Sequence, residues 1–234
     1  MILYVNGDSH TAAAEAVNLH AFAEDDSQYF YLGRAPHPEN FAVSWGKRLS
    51  AALRCGVHCD AESASSNTRI LRTTRSWLEN NKNSTSDTLV IIQWSTWERE
   101  EWLHNGVYYQ VGSSGIDDVP QVLQEKYRHF VMGTDWELKT EQAHKDIWVL
   151  HNELAQNGIK HIFFNGNNDF SSITDRKKWG LNYIDPYDPA GTYDARIRAA
   201  GIDTVAPNSW HFGTDGHAFW NQYLLNYIIK NRFI

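Results

Sequence analysis

In the stretch Thr88-Leu89-Val90-Ile91-Ile92-Gln93-Trp94, apolar side chains fall on both alternating faces. A strand buried on both faces belongs inside a parallel sheet, where crossover helices cover each side. The same texture recurs outward from it. Ile2-Leu3-Tyr4-Val5-Asn6 is a short apolar run that ends in Gly7-Asp8-Ser9, as a buried strand entering a tight turn would. Residues 57–61 and 160–165 supply two more strands.

Helical patterns fill the intervals. Residues 11–18 are Ala-rich and helical by propensity. Phe41, Trp45, Leu49 and Leu53 recur at a helical period, with Gly56 placed to cap the helix C-terminus. Residues 68–80 form a helix that buries Ile70, Leu71, Thr74, Trp77 and Leu78. Residues 140–157 form another, closed by Gly158, and residues 213–231 the last, with Trp220, Leu224 and Ile228 in its apolar stripe. The segments 19–40, 95–135 and 166–207 are irregular, the second with a hairpin around Asn105-Gly106. Strands alternating with helices predict one α/β domain over residues 1–234, a three-layer α/β/α sandwich around a central parallel sheet. Loops at the C-terminal ends of such strands are where sites form.

Composition narrows the function. The 234 residues carry 28 acidic and 21 basic side chains, a formal net charge of -7. That disfavours nucleic acid, which needs clustered Lys and Arg. Arg69, Arg72 and Arg75 share one helix face and read as solvated. No long apolar run marks a membrane span, and mean hydropathy is -0.52. The first residues read as a strand and not as a secretory signal, which points to a cytoplasmic location. Cys55 and Cys59 are too few for a disulfide scaffold and read as reduced and structural. Ten Trp, eleven Tyr and ten Phe serve a core, a groove for an apolar or sugar-like substrate, or both.

Four segments fall where strand ends and the last helix meet: Gly7-Asp8-Ser9-His10, Ser65-Ser66-Asn67, Ser95-Thr96-Trp97-Glu98 and Asn208-Ser209-Trp210-His211. A Ser from the first strand and a His from the last loop make a nucleophile and its base. A Ser in the first turn of a helix also keeps its own N–H free as an oxyanion donor, aided by the helix dipole. Taken singly, Ser9 reads equally as a helix N-cap and His211 as a loop histidine. Their joint placement at the two ends of the sheet favours a catalytic pair.

Gly7-Asp8-Ser9 after an N-terminal strand, together with Asn208-Ser-Trp-His211 five residues before Gly216-His217, resembles the SGNH (GDSL) hydrolases. The resemblance spans the chain in strand order. The segments 93–99 and 65–70 are also similar to phage-encoded members of that superfamily. The resemblance implies a flavodoxin-like SGNH fold and a serine ester hydrolase acting through an acyl-enzyme, with no metal or organic cofactor. It implies Ser9 as nucleophile and His211 as base, with His217 the lesser alternative. Asn208 stands where the family has an Asp. An amide orients an imidazole but does not stabilise its charged form, so a separate carboxylate such as Asp203 or Asp215 is the other option.

Ser65 falls at the family's second oxyanion position. Trp97 stands where the family's third block has Asn, which leaves Asn67 as a replacement donor. Gly166-Asn-Asn168-Asp169 matches that block by letter but follows the wrong strand. The implied substrate is a small-molecule or glycan ester. The competing expectation is a catalytically weak or inactive protein of the same fold that binds a glycan or acylated small molecule. Acyl transfer to a sugar is a third.

Overall fold

The computed structural model describes residues 1–23, 35–112, 115 and 119–234. Its centre is a four-stranded, all-parallel sheet in the order β2-β1-β3-β6, from β1 (Ile2–Asn6), β2 (Gly56–Cys59), β3 (Thr88–Trp94) and β6 (Lys160–Asn165). Leu3 pairs with Leu89 and Val57, and Ile91 with Ile162. Every residue of β3 is buried, as its two-faced apolar sequence requires.

Helices cover both faces. On one side α4 (Asn67–Asn80) and α6 (Trp136–Gln156) lay Ile70, Trp77, Ile147 and Leu150 over Tyr4, Val90 and Ile92. On the other, α3 (Trp45–Ala52), α7 (Tyr193–Ala199) and α8 (Thr214–Lys230) bring Trp45, Leu49, Ile197, Trp220 and Leu224 against Leu3, Val5, Ile91 and Phe164. The expected α/β/α layering holds. The hairpin is present too: β4 (Glu100–His104) and β5 (Val107–Val111) pair antiparallel across Asn105 and Gly106, both at positive φ. Helix α5 (Gln124–Gly133) follows it.

Several local expectations give way. The Ala-rich helix over 11–18 is a single turn, α1 (Ser9–Ala12), which Ala13 ends in the left-handed region at φ 58°. High propensity does not carry four alanines past a turn that the tertiary fold needs. The helix expected through residues 41–53 is split at Ser44 into α2 (Pro38–Val43) and α3, because Ser44 caps α3 by accepting from the Lys47 N–H. Arg54, at φ 53°, takes the left-handed turn expected of Gly56, which instead opens β2. Part of the irregular segments, residues 24–34, 113–114 and 116–118, lies outside the described residues.

The Arg face of α4 is solvated only toward its C-terminal end, where Arg75 is exposed. Arg69 is buried and pairs with Glu62 at 2.8 Å, while Arg72 pairs with Glu101 and Arg75 with Glu153. A buried guanidinium needs such a partner. Both cysteines are free thiols, and burial pushes the Cys59 thiol up to about 12. Among the described residues no helix is long and apolar enough to cross a membrane.

Candidate functional site

The loops after β2 and β3 close on Gly7-Asp8-Ser9, the turn that follows β1. Glu62 N–H donates to Gly7 O at 3.3 Å, tying the loop after β2 to this turn. Gly7 is required by close packing. A Cβ there would stand 2.4 Å from Thr11 Oγ1 and 3.0 Å from Gln93 Oε1, and Thr11 Oγ1 already donates to Gln93 Oε1 at 2.8 Å.

Asp8 braces the turn. Its Oδ1 accepts the His10 N–H at 3.0 Å, and its Oδ2 accepts Ser95 Oγ at 2.8 Å and Arg99 Nη1 at 3.1 Å. Burial pushes this carboxyl up. His10, Arg99 and hydrogen bonds from Gln93 and the His10 N–H outweigh that, and hold it below the usual carboxylate range. Asp8 is therefore the N-cap of α1, and Ser9 is the first residue inside it. Neither Ser9 N–H nor Ser9 Oγ makes a hydrogen bond among the described residues. One helical turn sums few peptide dipoles, so the dipole expected to aid this amide is small.

His211 is carried to the same corner by a tight loop. Thr204 bridges Phe212, Val205 N–H donates to His211 O at 2.9 Å, and Ser209 N–H donates to Ala206 O. The His211 ring lies 5.6 Å, centroid to centroid, from the ring of His10, the residue bonded to Ser9. Among the described residues no hydrogen bond joins Ser9 Oγ to the His211 ring; catalytic contacts of that kind often tighten only when substrate binds. The other nitrogen, Nδ1, lies 2.9 Å from Glu15 Oε2. Ser209 Oγ donates to that same Oε2 at 2.7 Å and accepts the His211 N–H at 3.0 Å.

Asn208, by contrast, is exposed and makes no hydrogen bond among the described residues. The carboxylate facing His211 is neither Asp203 nor Asp215. Sequence reasoning missed Glu15, because it sits in an Ala-rich run that reads as an ordinary helix; only the left-handed turn at Ala13 and at Glu15 (φ 63°) aims it back. His217 is buried, accepts the Trp45 N–H on Nδ1 at 3.3 Å, and is pushed by burial down to about 3. It serves the start of α3.

The other expected residues are placed as follows. The Ser65 N–H donates to Glu62 O at 3.1 Å within its own turn, and Ser65 Oγ accepts from Arg69, so that amide is engaged and not turned outward to a ligand. Asn67 binds the main chain of Ser95 twice, accepting its N–H at 2.9 Å and donating to its O at 3.1 Å. It thereby locks the β2 and β3 loops together, with one amide hydrogen left over. Trp97 is buried and stacks on Phe170, centroids 4.7 Å apart and planes 5° apart. The Gly166 block does lie beside the end of β3, since Gly166 N–H donates to Trp94 O at 2.9 Å.

Two openings flank the turn. A cavity of about 250 Å3 is lined by Asn67, Leu71, Trp97, Arg99, Lys139 and Asp146 among others. An open groove of about 610 Å3 runs past Glu15, Asn208 and Ser209, with Val17, Leu19 and Val205 as apolar wall.

A family model described as a family of unknown function, DUF6071, matches residues 37–217. The chain belongs to DUF6071. The matched span holds the loops after β2, β3 and β6 and the His211 loop, while the Ser9 turn precedes it. No curated protein matches this DUF6071 chain. Solved structures similar to it include a psychrotrophic esterase, EstA, of a Pseudoalteromonas species, 11% identical over 98% of this chain and 97% of that one, with a TM-score of 0.48. Another is an acetyl-xylooligosaccharide esterase, Axe2, of a Geobacillus, 10% identical over 97% of this chain and 93% of that one, with a TM-score of 0.43.

Proposed function

We propose that this protein is a serine ester hydrolase in which Ser9 is the nucleophile and His211 the general base. The observation that carries this reading is the Glu15 carboxylate on Nδ1 of His211, whose ring packs against His10, the residue after Ser9. An Nδ1–H held by Glu15 leaves Nε2 unprotonated and ready to accept a proton.

In this reading Ser9 Oγ attacks the acyl carbon as its proton passes to His211 Nε2. The alcohol departs with that proton, which leaves an acyl-Ser9. Water, losing its proton to His211, then releases the acid and restores Ser9. The Ser9 N–H is the donor for the oxyanion, and the remaining Asn67 amide hydrogen is the second candidate. No metal or organic cofactor enters these steps. The central position of β1 and the packing of α8 on α3 support residues 1–234 acting as one domain, and the formal net charge of -7 favours a small-molecule or glycan ester substrate over nucleic acid.

One observation favours a second reading. With the Ser65 amide engaged on Glu62, the oxyanion site has fewer donors than acyl transfer uses, as suits a protein that binds a glycan or acylated small molecule with little turnover.

Hydrolysis of p-nitrophenyl acetate and butyrate, with fluorophosphonate labelling, separates the two. Turnover and labelling that both vanish in Ser9→Ala, with turnover lost in His211→Ala, support the hydrolase. Equal, feeble rates in all three proteins and no labelling at Ser9 overturn it in favour of the binder.

A further inference from the structure

The carboxylate that faces His211 comes from the opposite end of the chain and from the nucleophile's own turn. Glu15 lies six residues after Ser9, beyond a one-turn helix, and both Ala13 and Glu15 adopt positive φ. A non-glycine residue there carries a conformational cost that the surrounding structure must hold in place. The consequence of that turn is that Glu15 Oε2 meets His211 Nδ1.

We propose that Glu15 is the positioning carboxylate of His211, in place of Asn208, and that Ser209 completes the arrangement by clamping Glu15 to the His211 main chain. The proposal rests on the reading of His211 as the base. It follows from three contacts that close a ring: Ser209 Oγ to Glu15 Oε2, Glu15 Oε2 to His211 Nδ1, and His211 N–H to Ser209 Oγ. Neutral imidazole carries its proton on one nitrogen or the other. A carboxylate can only accept, so it selects the Nδ1–H form and leaves Nε2 to face the nucleophile. Partial burial raises the Glu15 carboxyl, but the hydrogen bonds from Ser209 and His211 more than offset it and hold the group below the usual range. Glu15 thus stays charged at neutral pH, where an imidazolium formed beside it is stabilised. The segment from Ser9 to Glu15 then fixes both partners: Ser9 opens it, and Glu15 closes it against the base.

The test uses the full chain. Nitrogen-15 imidazole spectra of His211, assigned with His211→Gln, are compared for the wild type, Glu15→Ala, Glu15→Gln, Glu15→Leu, Ser209→Ala and Ser9→Ala. The expected result is an Nδ1-protonated ring in the wild type and in Ser9→Ala. Glu15→Ala loses that signature, and Glu15→Gln and Ser209→Ala weaken it. In parallel, kcat on p-nitrophenyl acetate falls about 10²- to 10⁴-fold in Glu15→Ala with KM little changed, and Glu15→Asp recovers part of it. An unaltered His211 spectrum in Glu15→Ala overturns the proposal. If Glu15→Ala does not fold, an unaltered spectrum in Glu15→Leu, which keeps the bulk and loses the acceptor, overturns it equally. The spectra decide the Glu15 role even if Ser9→Ala leaves ester turnover unchanged, an outcome that would sink the hydrolase reading alone.

Discussion

Glu15 and His211 stand 196 positions apart in the chain and 2.9 Å apart in the fold, carboxylate oxygen to imidazole nitrogen. Asn208, three residues before the histidine, takes no part in that contact. Asn208→Ala is therefore expected to change ester turnover and stability little, within about a factor of two in rate, as for surface positions without partners. A loss of tenfold or more on p-nitrophenyl acetate would return Asn208 to the site.

Gly7 is expected to tolerate no side chain. Gly7→Ala drives a methyl group against Thr11 Oγ1 and Cβ and against Gln93, three atoms already packed at the root of the Ser9 turn. Overpacking of this kind costs roughly 1–3 kcal/mol. Urea unfolding should show that loss, and Ser9 should become less reactive to fluorophosphonate. A variant with the wild-type urea midpoint and labelling rate would show that the turn is looser than its contacts imply.

Trp97 falls where the resemblance to SGNH hydrolases would put an oxyanion Asn, yet it is built into the core by its stack on Phe170. An Asn placed there should not supply a donor. Trp97→Asn is expected to destabilise the protein by roughly 3 kcal/mol, from the lost apolar volume and an amide left among aromatic rings. Circular-dichroism melts measure the first effect and ester assays the second. A stable Trp97→Asn protein with faster turnover would contradict both.

Stability is expected to fall as the solution is acidified below about pH 6.5, well before ordinary carboxylates titrate. Burial pushes His10 and His161 down to about 4 and His217 to about 3; for His10, Asp8 opposes the shift, while His211 and Arg99 add to it. Between those values and the unfolded value near 6.5, the unfolded chain holds protons that the folded one refuses. Stability then rises with pH across that window and drops as pH falls through it, by about 1.4 kcal/mol per pH unit for each group. Below it, the lowered carboxyls of Asp8 and Glu15 add to the loss in the same direction. Urea midpoints at pH 7, 6 and 5 read the slope, and equal midpoints at pH 7 and 5 would rule out neutral buried histidines.

The layers of the fold were legible because their signals are local and repetitive. Two-faced apolar runs gave β1 and β3, a period near 3.6 gave α4 and α8, and Asn105-Gly106 gave the hairpin, each from neighbours within a dozen positions. The places of Ser9 and His211 in the fold were legible for a related reason: each sits at a fixed offset from such an element, one just past a strand and one just before a helix.

What surrounds them was not. Glu15 looked helical because propensity sums over nearby residues, whereas its direction depends on where the chain must turn to meet a loop almost two hundred positions away. The Ser65 amide looked available because a sequence does not reveal which carbonyl a turn will bring to it. Arg69 looked solvated because its partner, Glu62, lies in a loop outside the helix, and helical periodicity does not show which carboxylate a loop folds back onto it. Periodicity and offset along the chain fix which elements form and which residues they present at their ends. Hydrogen bonds and ion pairs between distant segments are decided only when the packed sheet brings those ends together, since their strength depends on distances of about 3 Å that no local pattern encodes.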